Sequence, residues 1–356
     1  MIMYRKSLLM LLLCLIAITA CSSKKSRIAV DVKEIDFINN SESILKGKPI
    51  NIQVLGANNM IIKDSIIAFT TNDQNGMLQV FNLKTMDQIG KFCTKGRAKN
   101  EFLQAWLINS TIKKNGDIIL PLTNYPNEEL KMVNLSKSLQ RGSTVVDEVT
   151  DCFRGGSFVI LGNSTEKRFE YHIQEEPNKK HRGIPVHYVI RNGDKEKTIN
   201  IFSKPLKYEQ KDDDYIEPFE CGLYKHPEKN IVLQNFISLD YIFLFDIDKR
   251  HYYAIHQIGS PSFDDAYQHQ DDDGITFGNV AVANEFFIVL YWNGNYSNSY
   301  DDNQKKPEAI MFDWDGNYIK GVMLDQIVHV IEYDSKEKML YGLNRDNDSV
   351  YCFDLK

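Results

Sequence analysis

"KDSIIAFT" (63–70), followed by "LQVFNLKTMDQIGKF" (78–92), decides the fold. The first stretch is a polar turn running into a short apolar strand. The second is an apolar strand, a polar turn and a further strand. The first pattern returns as "NGDIILPL" (115–122), "RGGSFVIL" (154–161), "PEKNIVLQ" (227–234), "ANEFFIVL" (283–290) and "SKEKMLYG" (335–342). The second returns as "LKMVNLSKSLQ" (130–140), "HYVIRNGDKEKTINIF" (187–202), "YIFLFDIDKRHYYAI" (241–255), "AIMFDWDGNYIKGVM" (309–323) and "SVYCFDLK" (349–356). Its anchors Phe81, Val133, Ile190, Phe245, Phe312 and Phe353 lie roughly 40 to 67 residues apart, the scale of propeller blades built from four short strands. No 3.6-residue periodicity of useful length competes. A β-sandwich would leave six matched pairs to coincidence. The composition agrees: 11% of residues are aromatic, and Val, Ile, Phe and Tyr recur in short runs.

The sixth unit stops after a third strand at Lys356. "RIAVDVKEIDF" (27–37) alternates in polarity and has no blade of its own. The expectation is an all-β, six-bladed β-propeller of four-stranded blades, its ring closed by residues 27–37 as the outer strand of the last blade. Closure of that kind removes open strand edges.

The chain opens "MIMYRKSLLMLLLCLIAITACSSKKS". Arg5 and Lys6 precede an apolar core too short to span a bilayer comfortably, and small residues lead to Cys21, so residues 1–20 read as a secretory signal. Their ending resembles the lipobox of bacterial lipoproteins, which implies that Cys21 is lipidated, with residues 21–26 as tether and 27–356 as one propeller domain. Several acyl chains would hold the protein stably to a membrane. Ser22 in place of Asp, and the absence of an acidic run in "SSKKSR", point to the outer membrane facing the periplasm.

Without Arg5 and Lys6 the net charge is about −8, and no basic footprint for nucleic acid exists. Cys93, Cys152, Cys221 and Cys352 lack CxxC spacing, and an oxidising compartment would allow three pairings among them. The favoured reading makes them small buried side chains on strands.

In a four-stranded blade, the loop from second to third strand and the link to the next blade emerge on one face. The long segments 93–106, 162–185, 203–220, 259–278 and 291–307 all fall there by this reading, and long loops on a rigid scaffold are where binding resides. Candidate ligand contacts are therefore Arg97, Lys99 and Glu101, together with Tyr171, His172, His181, Trp292, Tyr296 and Tyr300; aromatics with polar tips suit sugars and peptide side chains. Packing of these aromatics onto the propeller is the alternative. "TKGRAKNEF" (94–102) lacks the strand-to-helix setting and Gly-Lys-Ser/Thr ending of a phosphate cradle. A structural turn at Gly96, with Glu101 and Phe102 pinning the junction of the first two blades, outweighs ligand contact. His172, His181 and His187 fit no zinc spacing, so no metal site is assigned. The acidic runs at 212–214, 264–265, 271–273 and 301–302 read as solvated loops, calcium being the one cofactor they leave open.

The lipobox, the six weak repeats and the Gly-basic-Glu-Phe loop together resemble the TolB-like six-bladed β-propeller lipoproteins of Bacteroidetes. In that family the loop reads Gly-x-Gly-Pro-x-Glu-Phe/Tyr. Gly96, Glu101 and Phe102 match, whereas Ala98 and Lys99 replace the second Gly and the Pro. The resemblance implies the fold and assigns no activity. No Gly-x-Ser-x-Gly elbow is present. The sequence thus points to a non-catalytic module that binds a peptide, glycan or envelope protein. A propeller enzyme of glycosidase, lyase or lactonase type and a structural subunit of an envelope complex are the alternatives.

Overall fold

The short turns show how the sequence sets the strands. Asn115 and Gly116 both have positive φ (55° and 87°) and join the paired residues Lys114 and Asp117, the geometry that lets two residues reverse a right-twisted ribbon. In the computed structural model, which describes residues 26–38, 41–152, 156–175, 183–203, 220–268, 276–292 and 306–355, such hairpins build six sheets. From axis to rim, blade one comprises Ala57–Lys63, Ile66–Thr71, Leu78–Asn82 and Gln88–Phe92. Blade two has a broken inner strand, Ala105–Leu107 and Ile112–Lys114, then Asp117–Asn124, Glu129–Asn134 and Val146–Asp151. Blade three is Gly156–Ile160, Lys167–Glu175, Gly183–Asn192 and Lys195–Ile199. Blade four is Cys221–Lys225, Ile231–Phe236, Tyr241–Asp246 and His251–Gln257. Blade five is Phe277–Val282, Phe286–Tyr291, Glu308–Asp313 and Tyr318–Leu324; blade six opens with Val330–Asp334, Met339–Asn344 and Ser349–Asp354. The protein is a six-bladed β-propeller.

Apolar clusters fill the wedges between successive blades. The thinnest, between blades two and three, holds Ile112, Ile119, Leu130, Met132, Phe158 and Ile160.

Two details of the sequence reading change. Residues 27–37 do not complete the last blade. Asp31–Ile35 adds a fifth strand to blade four, parallel to His251–Gln257, and Ser41–Leu45 adds one to blade five, parallel to Tyr318–Leu324. Lys48 and Pro49 alone supply the outer strand of blade six, against Tyr351 and Cys352. The N-terminal chain is therefore a strap across three blades. Phe37 fixes its register: the ring is fully buried among Phe277, Tyr291 and Phe312, and Gln257 Oε1 accepts the amides of Phe37 and Ile38. At Gly47 a Cβ would stand 2.7 Å from the Phe353 ring, so only glycine lets the strap lie this close.

The second change is in blade three. "RGGSFVIL" supplies the inner strand, and half of the supposed loop 162–185 is the second strand and the start of the third. "KRFEYHIQE" hid this because its inward positions include Glu170, which is 1% exposed. Arg191 neutralises that carboxylate with two hydrogen bonds, Nε to Oε1 at 2.8 Å and Nη2 to Oε2 at 3.0 Å. The opposite face also carries more than tight turns: the helix Leu135–Arg141 joins the last two strands of blade two, capped by Asn134 at its start and Gly142 (φ 68°) at its end.

Candidate binding face

The link between blades one and two crosses this face as a knot. Gly96 donates its amide to Phe102 O (3.0 Å), and Phe102 donates its own to Thr94 O (3.0 Å). Glu101 Oε2 accepts from the Ala98 amide at 2.9 Å, and a Cβ on Gly96 would lie 1.9 Å from that oxygen. Gly96 makes room for Glu101, and Phe102, fully buried, plugs the wedge beneath. The ammonium of Lys131, 2% exposed, holds the knot from below. Its Nζ donates to the carbonyls of Glu101 (2.8 Å), Lys99 (3.3 Å) and Ala98 (3.4 Å), and lies 3.3 Å from Glu129 Oε2 and 5.0 Å from the Phe102 ring centroid. The Gly-basic-Glu-Phe sequence is thus spent on folding its own loop. Arg97 and Lys99 remain as exposed cations on its outside.

Just beyond this knot lies a ledge that the sequence reading did not name. Trp106 pairs with Thr123, and Tyr125 donates its amide to Gln104 O (3.1 Å), so Trp106 and Tyr125 are diagonal neighbours on one side of the sheet. Both are exposed, at 46% and 58%. Strand parity puts them on the side where Ile119 meets blade three, above the thinnest wedge of the ring. There the blade-three hairpin continues past Gly156, the first residue of its inner strand, by three residue pairs, from Ile173 with Pro185 to Glu175 with Gly183. That is a wall about 10 Å high beside the ledge. Leu55, 81% exposed, lies on the same face in the link into blade one. The signal was available: an aromatic opening an inner strand, and a Tyr-Pro in a second-to-third turn.

The other expected contacts disperse. Tyr171 is 2% exposed and packs with Tyr188 and Phe236; Trp292 is 3% exposed and stacks on His329 at 5.9 Å. Both are packing residues: Tyr171 takes a buried strand position in the wedge between blades three and four, and Trp292 is buried against His329. His172 stacks on His187 at 4.8 Å and reaches Glu170 Oε2 at 3.1 Å. Burial, then the neighbouring His172, hold His187 below the usual imidazole range. His181, Tyr296, Tyr300 and Cys21 lie outside the described residues. So do the acidic runs at 212–214, 271–273 and 301–302. Asp264 pairs with Arg27 at 2.8 Å and Asp265 bonds Ser262, both opening the short helix Phe263–Gln268. Among the described residues no three His, Cys, Asp or Glu side chains converge as a metal centre. Cys93, Cys221 and Cys352 are free thiols; burial pushes Cys221 up to about 12.

The axial channel is stitched. An inner strand has one unpaired edge, whose backbone groups need partners. Asn109 donates to Leu223 O at 3.5 Å, spanning from blade two to blade four. Asn279 donates to Tyr224 Oη (3.2 Å) and accepts the Ile331 amide (2.8 Å), joining blades four, five and six. Asn235 donates to Gly278 O at 2.7 Å. Glu332 accepts from the backbone of Ile62, joining six to one, and desolvation raises its carboxyl to about 8, with Lys63 opposing. The folded value exceeds the free value of 4.5, so the stability this group contributes is complete below pH 4.5 and is lost as pH rises through about 8. Thermal unfolding at stepped pH should therefore show Glu332→Gln declining less between pH 5 and 8 than the parent. Identical pH slopes would remove Glu332 from this role.

No family model matches the chain, and no curated protein matches it. Solved structures do. A member of the DUF4221 family from Bacteroides vulgatus is 10% identical, with a TM-score of 0.56 over 88% of this chain and 96% of that one. A Bacteroides fragilis protein named as exported is 13% identical, with a TM-score of 0.48 over 92% and 98%. Chaetomium thermophilum Raptor is 10% identical, with a TM-score of 0.48 over 89% of this chain and 29% of that one. At 10% identity the likeness to the DUF4221 member is one of fold alone.

Proposed function

We propose that the chain is a non-catalytic binding module of the bacterial envelope, of the TolB-like lipoprotein kind, tethered through Cys21 to the outer membrane and facing the periplasm. Its loop-rich face takes a peptide or glycan chain, or the surface of an envelope protein. The carrying observation is the Trp106–Tyr125 ledge: two exposed aromatics on one side of a rigid sheet, floored by a thin wedge and flanked by a projecting hairpin. Rigid aromatic platforms of this kind supply large contact area at small entropic cost. Arg97 and Lys99 add positive charge nearby.

The test is native purification of the mature domain, identification of what co-purifies by mass spectrometry, and titration of that ligand. The Trp106→Ala, Tyr125→Ala double variant should bind at least about thirtyfold more weakly, some 2 kcal/mol, with its melting temperature kept. Undiminished binding would sink the ledge as the site. One observation favours the enzyme reading: at the mouth of blade four, burial raises the Asp240 carboxyl, beside Ser260, Thr276 and His256. Turnover of a bound glycan that Asp240→Asn abolishes would establish it instead.

A further inference from the structure

The face opposite the long loops carries a concentration of charge of its own. The inner strands end there, and three of the six end on lysine: Ala57–Lys63 in blade one, Ile112–Lys114 in blade two and Cys221–Lys225 in blade four. Blade three opens its second strand at the same level with Lys167. Cations thus gather around one mouth of the axial channel in a chain whose net charge is −6. Every turn from a first to a second strand at this mouth lies among the described residues.

Blades one and four stand opposite each other in the ring, so Lys63 and Lys225 approach the axis from facing walls. Burial holds the Lys225 ammonium below its usual range; Asp248 opposes this, and Lys167 and Lys63 add to it, so both lie within electrostatic reach of Lys225. The acids nearby have partners already. Asp64 pairs with Lys113 at 3.0 Å, and both oxygens of Asp248 accept from Asn230 Nδ2 at 3.1 Å. Glu332, on the channel wall beside Lys63, is raised to about 8 by burial and so keeps its proton at neutral pH. Among the described residues Lys63, Lys167 and Lys225 have no carboxylate in ion-pair contact. Lys225 Nζ donates to His226 O at 2.8 Å, which leaves two of its three protons for a ligand. Two strand residues above it, about 7 Å, the bond from Asn109 to Leu223 O crosses the channel. The lysines therefore line a recess that opens on this face.

We propose that this mouth of the axial channel is a binding site for a phosphate group, held by Lys63, Lys167 and Lys225. Several like charges brought together without counter-charges repel, and an anion with more than one charge and several acceptor oxygens relieves that repulsion for all three at once. Chloride or a single carboxylate supplies too little charge to do so. The site lies on the other face of the ring from the aromatic ledge and does not depend on it.

Titration calorimetry tests it on the full chain, in a nonionic detergent at low ionic strength, where charge is least screened. The probes are inorganic phosphate and glycerol 3-phosphate, with chloride as the control. One saturable site is expected; tighter binding of the first probe marks a free anion as the ligand, and of the second a phosphate ester. Lys225→Met and Lys63→Met keep the stem and remove the charge, and each should weaken binding about tenfold or more, the loss of one charge-assisted hydrogen bond. Lys84→Met, in an exposed turn of the same face, should leave binding unchanged. Melting temperatures show that each variant is folded, and Lys167→Met replaces any that is not. No saturable binding of either probe at millimolar concentration overturns the proposal. So does chloride that competes on equal terms, or a loss in Lys84→Met equal to that in Lys225→Met.

Discussion

Replacing Phe37 by Ala should lower the unfolding free energy by about 3–5 kcal/mol, the cost of removing a buried aromatic from a core that refills only partly. The ring is fully enclosed in the wedge between blades four and five. Its edge contacts with Tyr291 and Phe312 have centroids 5.6 Å apart, and Phe277 lies at 6.1 Å. Phe37 is the strap's deepest anchor among the described residues, so the effect has two parts: a cavity in the wedge and a strap that lifts. Denaturant unfolding measures the first. Limited proteolysis between residues 26 and 49 measures the second, and cleavage there should precede global unfolding. A midpoint unchanged from the parent would mean that the pairing of Asp31–Ile35 holds the strap by itself.

Lys131→Met should cost about 3 kcal/mol, since the thioether keeps most of the stem's volume and leaves buried acceptors without their charged donor. Three carbonyls of the 98–101 turn lose their shared partner, and Glu129 keeps Asn124 Nδ2 at 2.7 Å. The knot should loosen before the rest of the molecule. Arg97 and Lys99 are exposed, so trypsin should cut there faster in the variant than in the parent at temperatures well below unfolding. A variant with parental stability and parental cleavage rate would show that water replaces the ammonium at no cost.

Those two residues also mark what was legible in the sequence. The six-fold alternation of strand and turn is carried by dozens of apolar positions, and it survives the loss of any one, so the propeller could be read. The junction knot could be read in part, because Gly96, Glu101 and Phe102 stand close in sequence; Lys131, its keystone, comes from another strand and looked like one more polar residue in an apolar run. The closing strand was misplaced because residues 27–37 carry the right alternation for an outer strand, and alternation does not say which blade's edge it meets. Blade three was misread by one strand because Glu170 is inward and neutralised by Arg191, a partner that spacing alone does not reveal. Among the candidate contacts, Tyr171 and Trp292 look in sequence like the aromatics of a binding loop, yet their burial depends on the packing of neighbouring strands. Trp106 closes the long segment 93–106 but opens a strand, and Tyr125 sits on a short turn, so neither stands out in sequence as a loop aromatic.

The strap has a consequence in time. Asp31–Ile35 leaves the ribosome well before its partner His251–Gln257, about 220 residues downstream. Ser41–Leu45 and Lys48–Pro49 wait still longer, for blade five and for the final strand of the chain. A segment translated early is thus among the last to dock. Until it does, the outer edges of blades four and five stay unpaired and blade six lacks its fourth strand, the kind of exposed edge on which chains mispair. Folding of this protein should be slow, complete only once Ser349–Asp354 has been made, and most vulnerable to aggregation in the interval between the making of blade four and the seating of the strap.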